Sequence, residues 1–311
     1  MHRCLIGRNQ RPEHLAKVYA LGMFDGVHIG HMALIQTAVR IAGEHKTTCG
    51  VYTFDVHPTR VVCPERAPEA LMSLDDRLDL MESAGVDVAI VHTFDHELAS
   101  MPPEAFVSRV LHDTLGAQCV VVGFDYSFGH GGAGTPLALQ SLARELGICV
   151  QTLPPVEIDG TPVSSTGVRA ALACGDVERA ALLLGRRHRV RGTVERGRGV
   201  GHRLGIPTAN VSVPPGIALP MPGVYACGVR WGSSSASGAV CNIGVRPTFD
   251  DQERGVTLEV HVMGAAPDLY GATLTVEFAA RLRDEFRFAN PSDLVRQIDA
   301  DMIAARRLLG C

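Results

Sequence analysis

The chain has 311 residues, of which 46% are hydrophobic, and a formal net charge of -4 at pH 7, so it is long enough for two domains that each bury a core. Residues 1–185 carry 13 Lys+Arg and 21 Asp+Glu, whereas residues 186–311 carry 16 and 12, an asymmetry too mild to indicate nucleic-acid binding. The N-terminal segment is polar, and no run of about 18 apolar residues occurs. We therefore expect a soluble, cytoplasmic protein with neither a membrane nor a nucleic-acid partner.

The cysteines are expected to be thiols. The chain has nine of them but no C-x-x-C pair, which makes a metal or disulfide framework the less favoured alternative. Five lie within apolar, strand-like runs, and we expect these to be buried in a reducing compartment: Cys49, Cys119, Cys149, Cys227 and Cys241.

The first half of the chain alternates short β-branched runs with longer amphipathic stretches, which predicts a Rossmann-like parallel sheet covered by helices. The predicted strands are 18–24, 48–54, 86–92, 118–123 and 148–153. The predicted helices are 32–44, 74–83, 103–115 and 136–146. Two further helical patterns follow between 165 and 184, separated by Gly175 and by Asp176, which suits a helix N-cap.

After Gly185 the pattern changes to strands and turns rich in glycine and proline. Strands are predicted at 189–195, 223–231, 239–243, 257–263 and 273–278, with a loop at 232–238 and a final helix at 292–309. So many strands with so little helix predict a small closed antiparallel β-barrel, because closure removes exposed edges. The sequence thus predicts an α/β chain with domains at 1–185 and 186–311.

A ten-residue segment that begins at Gly22, G-M-F-D-G-V-H-I-G-H, lies where a predicted strand passes into a helix. Its glycines permit a tight turn and, at Gly30, a close approach of phosphate to the backbone. His28 and His31 are three residues apart in the first helical turn, where they can donate to an anion beside free N–H groups. A lone histidine is more often an ordinary surface or core residue, but this combination favours a phosphate site.

Two other segments belong to the same predicted domain. Residues 121–134 follow a buried strand and contain five glycines, which suits a backbone that wraps a ligand. Residues 164–169, S-S-T-G-V-R, begin a helix with hydroxyl groups and a guanidinium. Each segment alone could be a structural turn or cap, whereas their occurrence together indicates a nucleotide site.

These three motifs, in this order, resemble the nucleotidyltransferase half of bacterial bifunctional riboflavin kinase/FAD synthetases. The resemblance implies that a phosphate oxygen of FMN attacks the α-phosphorus of ATP, which yields FAD and pyrophosphate, with Mg²⁺ bridging the phosphates. It assigns His28 and His31 to the triphosphate and Arg169, Ser165 and Thr166 to its β and γ groups. It also assigns nucleotide binding and positioning to a further set: Gly22, Phe24, Asp25, Gly26, Gly30 and Asp125.

The chain departs from this pattern at two places. Gly167 stands where many members of the family have arginine, and residues 130–132 are His-Gly-Gly where basic residues are common. Both changes remove positive charge from a site for anionic substrates. They predict weaker binding of ATP or FMN.

A second glycine-rich segment lies in the later domain. Residues 196–205 hold four glycines and three arginines, a composition that lets N–H groups and guanidiniums surround phosphate. The G-K-[ST] ending of a Walker loop is absent, and alone the segment could be an irregular basic turn.

The segment continues into G-I-P-T-A-N. Five further motifs follow it along the chain: G-V-Y, N-I-G-V-R-P-T-F, L-E-V-H, D-L-Y-G and R-D-E-F-R-F. Together these motifs resemble the riboflavin kinase domain. The resemblance implies that Thr208 and Asn210 hold Mg²⁺ with ATP and that Glu259 is the general base toward the flavin hydroxyl. Without it, Glu259 would be an exposed residue on an alternating strand. The resemblance assigns ATP or flavin binding to Gly197, Arg198, Gly201, Gly205, Pro207, Arg283 and Glu285.

The two resemblances together imply an enzyme that converts riboflavin to FMN and FMN to FAD, with ATP and Mg²⁺. One alternative is a nucleotidyltransferase with another acceptor and an inactive barrel, and another is a flavin-binding regulator without turnover. The intact P-T-A-N and the base at Glu259 favour the enzyme, because a binding protein needs no base. The sequence does not predict an oligomeric state.

Overall fold

The computed structural model describes residues 1–7, 10–196, 206–232, 236–246, 255–264, 269–286, 288 and 290–310. The chain divides into two compact units, Met1–Ser165 and Thr166–Cys311. The helical segment between 165 and 184 packs with the second unit, and the functional boundary near residue 185 stays a prediction. Within the described ranges, no helix combines the length and apolar character that crossing a membrane requires.

The first unit is built on a six-stranded parallel sheet, with strands in the order β1-β4-β3-β2-β5-β6. The strands are β1 (His2–Ile6), β2 (Val18–Leu21), β3 (Cys49–Phe54), β4 (Val88–His92), β5 (Cys119–Gly123) and β6 (Cys149–Leu153). The helices are α1 (Ile29–Glu44), α2 (Pro58–Val62), α3 (Leu74–Ser83), α4 (His96–Ala99), α5 (Pro103–Ala105) and α6 (Pro136–Glu145). Short 3₁₀ turns cover Pro64–Arg66 and His130–Gly132, and a hairpin of β7 (Glu157–Ile158) and β8 (Thr161–Pro162) follows the sheet.

Both faces of the four inner strands, β2 to β5, are buried, which explains why these strands are continuous apolar runs. In β2, Val18 and Ala20 pack into one core cluster with α1 and α3 residues, whereas Tyr19 and Leu21 pack into the cluster on the opposite face. Helix α3 begins at an N-cap, where the Ser73 hydroxyl accepts from the Asp76 backbone N–H. The two layers hold the central strand rigidly.

The strand order places the reversal of the sheet at β2. From β2 the chain adds β3 and β4 on one side and later adds β5 on the other side. In parallel sheets, ligands bind at the carboxyl edge where the order reverses. The turn after β2 and the glycine-rich segment after β5 therefore share the position that favours a ligand site.

Most predicted elements of this unit are confirmed, and the helix Leu74–Ser83 has the predicted bounds. The edge strand β1 was not predicted, because it is short, begins with two polar residues and buries only Ile6. The predicted helix 103–115 is α5 followed by a π-helical segment, Phe106–Thr114. The expectation that Cys149 is buried is wrong, because it lies on the edge strand β6 and is exposed; all eight cysteines described are free thiols.

The second unit is a closed barrel of antiparallel strands in the order β10-β13-β12-β11-β14-β9. These are β9 (Arg189–Glu195), β10 (Ala209–Ser212), β11 (Gly223–Trp231), β12 (Ser237–Arg246), β13 (Gly255–Val262) and β14 (Thr273–Arg283). Helices α7 (Ser165–Ala173) and α8 (Val177–Leu184) precede it, and α9 (Pro291–Leu309) follows it. The side chain of Asp176 accepts from the Arg179 N–H, as the sequence predicts for an N-cap. Strand β10 was not predicted.

Helix α9 covers part of the outer face of the barrel. Its Ala305 is fully buried in a cluster with outward-facing residues of β11 and β12. A partly buried ion pair fixes the same helix, because Arg283 at the end of β14 binds the carboxylate of Asp301 through Nη2 at 2.7 Å. The polar residues of the neighbouring strands β10 and β13 lie on this outer face as well, since their alternate residues fill the barrel.

A buried histidine at the start of the barrel makes its stability depend on pH. His188 is 2% exposed, its Nε2 lies 3.0 Å from the carbonyl oxygen of Ala218, and burial lowers its pKa to about 4. The unfolded chain binds a proton near pH 6.5 that the folded barrel does not bind. The contribution of His188 to the free energy of unfolding is therefore fully present above pH 6.5. It is lost as the pH falls toward 4.

We predict that the free energy of unfolding of the barrel drops by about 2 kcal/mol between pH 7.5 and pH 5 because of this histidine. Trp231 on β11 is the single tryptophan of the chain, so its fluorescence in urea reports on the barrel. The variant His188→Gln, which keeps a hydrogen-bond donor but does not titrate there, should lose most of this pH dependence. An equal slope in both proteins would contradict the assignment.

Candidate active sites

The turn between β2 and α1 has an unusual backbone. Phe24, Gly26 and Val27 have φ angles of 55°, 79° and 40°, all in the left-handed region. Glycine adopts such angles at little cost, but Phe24 and the β-branched Val27 are strained by roughly 1–3 kcal/mol each. The surrounding structure must therefore hold this turn in place.

Hydrogen bonds from several elements hold the turn. The Thr53 hydroxyl at the end of β3 donates to the Met23 carbonyl at 3.1 Å. The Asp25 carboxylate is buried and accepts from the Leu71 N–H at 2.9 Å, while its carbonyl accepts from the Ser165 hydroxyl at 2.8 Å. The turn is thus tied to the sheet, to the segment before α3 and to Ser165, the last residue of the first unit.

The two predicted histidines lie together at the start of α1. His28 is the N-cap, and its Nδ1 accepts from the His31 backbone N–H at 3.2 Å. In the neutral ring the proton therefore lies on Nε2. The two rings stack with centroids 3.6 Å apart, and the ring of Phe24 packs edge-on against His31. A Cβ on Gly30 would lie 3.2 Å from the His28 ring, so this glycine makes room for the stacked pair.

A cavity of about 890 Å³ opens beside the histidines within the first unit. Its walls come from the turn after β2, the segment after β5, the segment after β6 and helices α2 and α4. The predicted residues that line it are Gly22, His28, Gly30, His31, Asp125 and Ser165. Phe24, Asp25 and Gly26 are buried parts of the turn itself and do not form the wall of the cavity.

The glycine-rich segment after β5 folds back on itself. Phe128 and Gly134 exchange backbone hydrogen bonds of 3.1 and 2.8 Å. The His130 N–H donates to the Met101 carbonyl at 2.7 Å, and a Cβ on Gly129 would come within 2.7 Å of Pro103. Glycine is thus needed at 129 for its positive φ of 73° and for this close approach.

The remaining predicted residues of this site lie further along α7. Ser165 is the last residue of the first unit, and Thr166 and Arg169 belong to the second. Their roles toward the β and γ phosphates stay predictions. Gly167 lies on the same helix.

The barrel site is a row of polar residues on four neighbouring strands. Asn210 of β10 pairs with Glu195 of β9 on one side and with Glu259 of β13 on the other. Glu259 pairs in turn with Asn242 of β12. Directly paired residues of antiparallel strands point to the same face, so these side chains share the outer face of the barrel. The predicted ligand Asn210 and the predicted base Glu259 are therefore neighbours.

A histidine that the sequence analysis left without a role links this row to the P-T-A-N segment. The Nδ1 of His261, two residues after Glu259, lies 2.8 Å from the carbonyl oxygen of Pro207. This contact ties the segment that carries Thr208 to the strand that carries the predicted base. Alternate residues of a strand share a face, so L-E-V-H places His261 on the same face as Glu259. This alternation is the sequence signal that could have identified His261.

The other predicted kinase residues have different surroundings. The Asn242 amide donates to Glu285 at 3.3 Å, so Glu285 adjoins the polar row. The guanidinium of Arg283 binds both oxygens of Asp301 and donates from Nη1 to the Asp284 carbonyl, which makes it an anchor of α9. Its predicted part in ATP or flavin binding stays a prediction beside this structural role. Gly197, Arg198, Gly201 and Gly205 lie outside the described residues.

Comparisons with known proteins match successive parts of the chain to two enzyme families. A family model described as FAD synthetase matches residues 10–167, and one described as riboflavin kinase matches residues 184–309. A bifunctional riboflavin kinase/FMN adenylyltransferase from Pseudomonas fluorescens is 40% identical, covering 96% of this chain and 95% of that protein. Proteins with the same description from Bacillus subtilis (strain 168) and Escherichia coli (strain K12) are 35% and 34% identical, and this chain covers 95% and 93% of them.

A solved structure from Streptococcus pneumoniae shares the fold, with a TM-score of 0.88 and 28% identity, covering 97% of this chain and 99% of that one. It is described as a macrolide-efflux protein, whereas both family models and the curated relatives name enzymes of flavin synthesis, and we take from it the fold alone. With two family models in sequence and relatives that match over almost its whole length, the chain belongs to the bifunctional riboflavin kinase/FMN adenylyltransferases.

Proposed function

We propose that the cavity beside His28 and His31 is where FMN is adenylylated, and that the polar row around Glu259 is where riboflavin is phosphorylated. The single observation that carries the first assignment is the stacked pair of histidines at the helix N-terminus, which face an 890 Å³ cavity at the reversal point of the sheet. The second rests on the pairing of Asn210 with Glu259.

Adenylyl transfer needs no nucleophile from the protein, because the phosphate of FMN itself attacks the α-phosphorus. The protein must hold the two phosphates in line and stabilise charge on the phosphoryl oxygens. The proton on Nε2 of His28 and the N–H groups of the first turn of α1 other than that of His31, which His28 caps, can donate to those oxygens. The positive end of the helix dipole adds to the attraction.

Phosphorylation of riboflavin starts from a neutral hydroxyl, which becomes a better nucleophile as its proton leaves. The Glu259 carboxylate accepts that proton in our proposal, and its position beside Asn210 supports this. The Asn210 amide oxygen and the Thr208 hydroxyl are the hard oxygen donors that Mg²⁺ prefers, so this pair fits a metal ion that is bound together with ATP. When bound, the ion would neutralise charge on the transferred phosphoryl group.

The remaining assignments are also proposals. Thr166 and Arg169 would bind the β and γ phosphates, and Gly197, Arg198, Gly201 and Gly205 would surround the phosphates of the second ATP. Residues 1–185 and 186–311 would be the functional domains. A cytoplasmic location fits the free thiols of the described cysteines.

We predict that His28→Ala and His31→Ala each slow the conversion of FMN to FAD by about 100-fold, because each removes a donor to the triphosphate. The conversion of riboflavin to FMN by the same protein should stay within twofold. Separate initial-rate assays with FMN and with riboflavin measure both reactions.

His45→Ala is the matched control, because His45 is the exposed C-cap at the other end of α1. It should leave both rates unchanged. Unaltered FAD synthesis in the His28 and His31 variants would refute the triphosphate assignment.

We predict the opposite selectivity for Glu259→Gln. This change keeps the size of the side chain but removes the base, so FMN formation should fall by at least about 100-fold while FAD formation from added FMN continues. Product chromatography after incubation with each flavin distinguishes the two reactions.

Glu277→Gln offers a control, because Glu277 is a glutamate on the polar face of β14 that pairs with Arg230. It should not slow FMN formation. Full kinase activity in Glu259→Gln would exclude this residue as the base.

Gly167 stands where many members of the family have arginine, so restoring the arginine should improve substrate binding. Gly167→Arg restores a positive charge one residue after Thr166, so the KM for ATP or FMN in adenylyl transfer should fall by about threefold or more. An unchanged KM for both substrates would show that the missing charge does not limit binding.

A further inference from the structure

Arg77 on α3 is a buried arginine that joins two backbone carbonyls at the carboxyl edge of the parallel sheet. Only 3% of the residue is exposed. Its Nη1 donates to the Met23 carbonyl and its Nη2 to the Phe54 carbonyl, each at 2.6 Å. Neither carbonyl is on a neighbouring residue of the chain, so one side chain connects the segment after β2 with the end of β3.

The guanidinium is held there as a cation. Burial lowers the pKa of Arg77 to about 10, and the carboxylates of Asp25 and Asp55 oppose that shift, so the group stays protonated at neutral pH. A buried charge is costly unless it is hydrogen-bonded, and Nε of Arg77 has no partner among the described residues. An apolar residue would fill the core beneath α3 without this cost, which indicates a role beyond packing.

The two carbonyls identify that role. Met23 and Phe54 both line the cavity of the first unit, whereas Arg77 does not. Met23 also immediately precedes Phe24, the first residue with a left-handed backbone, and its carbonyl accepts from the Thr53 hydroxyl as well. Arg77 therefore does not contact the cavity itself. It binds the backbone of a residue that lines the cavity, Met23, directly before the strained turn.

We propose that Arg77 is a positioning residue for adenylyl transfer: it fixes the turn that presents His28 and His31 in the conformation that binds ATP. This inference rests on the proposed role of those histidines. The strained angles at Phe24 and Val27 favour relaxation of the turn, and the bond to the Met23 carbonyl opposes it. The bond to Phe54 fixes the end of the neighbouring strand β3 relative to the turn.

A residue of this kind has a characteristic kinetic signature. If the turn relaxes, only a fraction of the molecules can bind ATP, and the apparent dissociation constant rises by the inverse of that fraction. Saturating ATP restores the competent conformation, so kcat is preserved. A loss of folded protein has the opposite signature, because it lowers the apparent kcat and leaves KM unchanged.

The test compares Arg77→Met and Arg77→Lys with wild type in the full chain. Methionine fills the space without hydrogen bonds, and lysine keeps the charge but has no planar fork that reaches two carbonyls. We expect the KM for ATP in FAD formation to rise about tenfold in Arg77→Met and by a smaller factor in Arg77→Lys, with kcat within twofold. Riboflavin kinase activity, measured in the same samples, should be unchanged.

Arg40→Met is the matched control, because Arg40 is an exposed arginine on α1 that pairs with Glu44. It should not change the KM. An unchanged KM in Arg77→Met, a fall in kcat alone, or failure of both Arg77 variants to fold would overturn the proposal and leave Arg77 a purely stabilising residue.

His28→Ala, assayed in parallel, separates this inference from the function on which it rests. If His28→Ala impairs FAD formation and Arg77→Met does not raise the KM, only the role of Arg77 is wrong. If His28→Ala has no effect, the assignment of the turn to the triphosphate is wrong, and the inference about Arg77 is overturned with it.

Discussion

The proposed adenylyltransferase site depends on one constraint, the left-handed backbone between β2 and α1. Phe24 and Val27 would not adopt positive φ angles in an unconstrained chain, and contacts from β3, from the segment before α3 and from Ser165 impose them. This turn aims the N-terminus of α1 into the cavity and makes His28 its cap, so that the two imidazoles stack. Donors held in place in this way stabilise developing charge without reorganisation, which is the main requirement of phosphoryl chemistry.

In the barrel, the pairing register of the strands places the polar side chains of the second candidate site. Asn210, Glu259 and Asn242 come together because β10, β13 and β12 pair at these positions, and no left-handed residue is involved at any of the three. A shift of one residue would turn Glu259 into the barrel interior and expose Leu258. The burial of Leu258 and Val260 thus fixes the face on which the proposed base, Glu259, lies. The hydrogen bond between His261 and Pro207 then brings the P-T-A-N segment to the same strand.

The sequence was sufficient to predict the two folds, and its local motifs supplied the candidate residues of both sites, whose roles stay proposals. Alternation of strands and helices predicted the parallel sheet, and the spacing of His28 and His31 predicted a shared position at the helix start. It did not reveal Arg77, whose contacts join residues 23, 54 and 77 and therefore depend on tertiary packing. A signal was nevertheless present, because Arg77 lies among Leu74, Leu78 and Met81 on the apolar face of α3. The ion pair of Arg283 was not predicted for a similar reason, because its partner Asp301 is 18 residues away on another element.

The central claim is that one chain carries both reactions, so that the product of the barrel is the substrate of the parallel-sheet unit. A time course with the purified full-length protein, riboflavin, ATP and Mg²⁺, with flavins separated by chromatography, tests it most directly. The account predicts that FMN accumulates first and is then converted to FAD, and that added FMN is converted without a lag. Formation of FMN without any FAD, or no conversion of riboflavin at all, would contradict it.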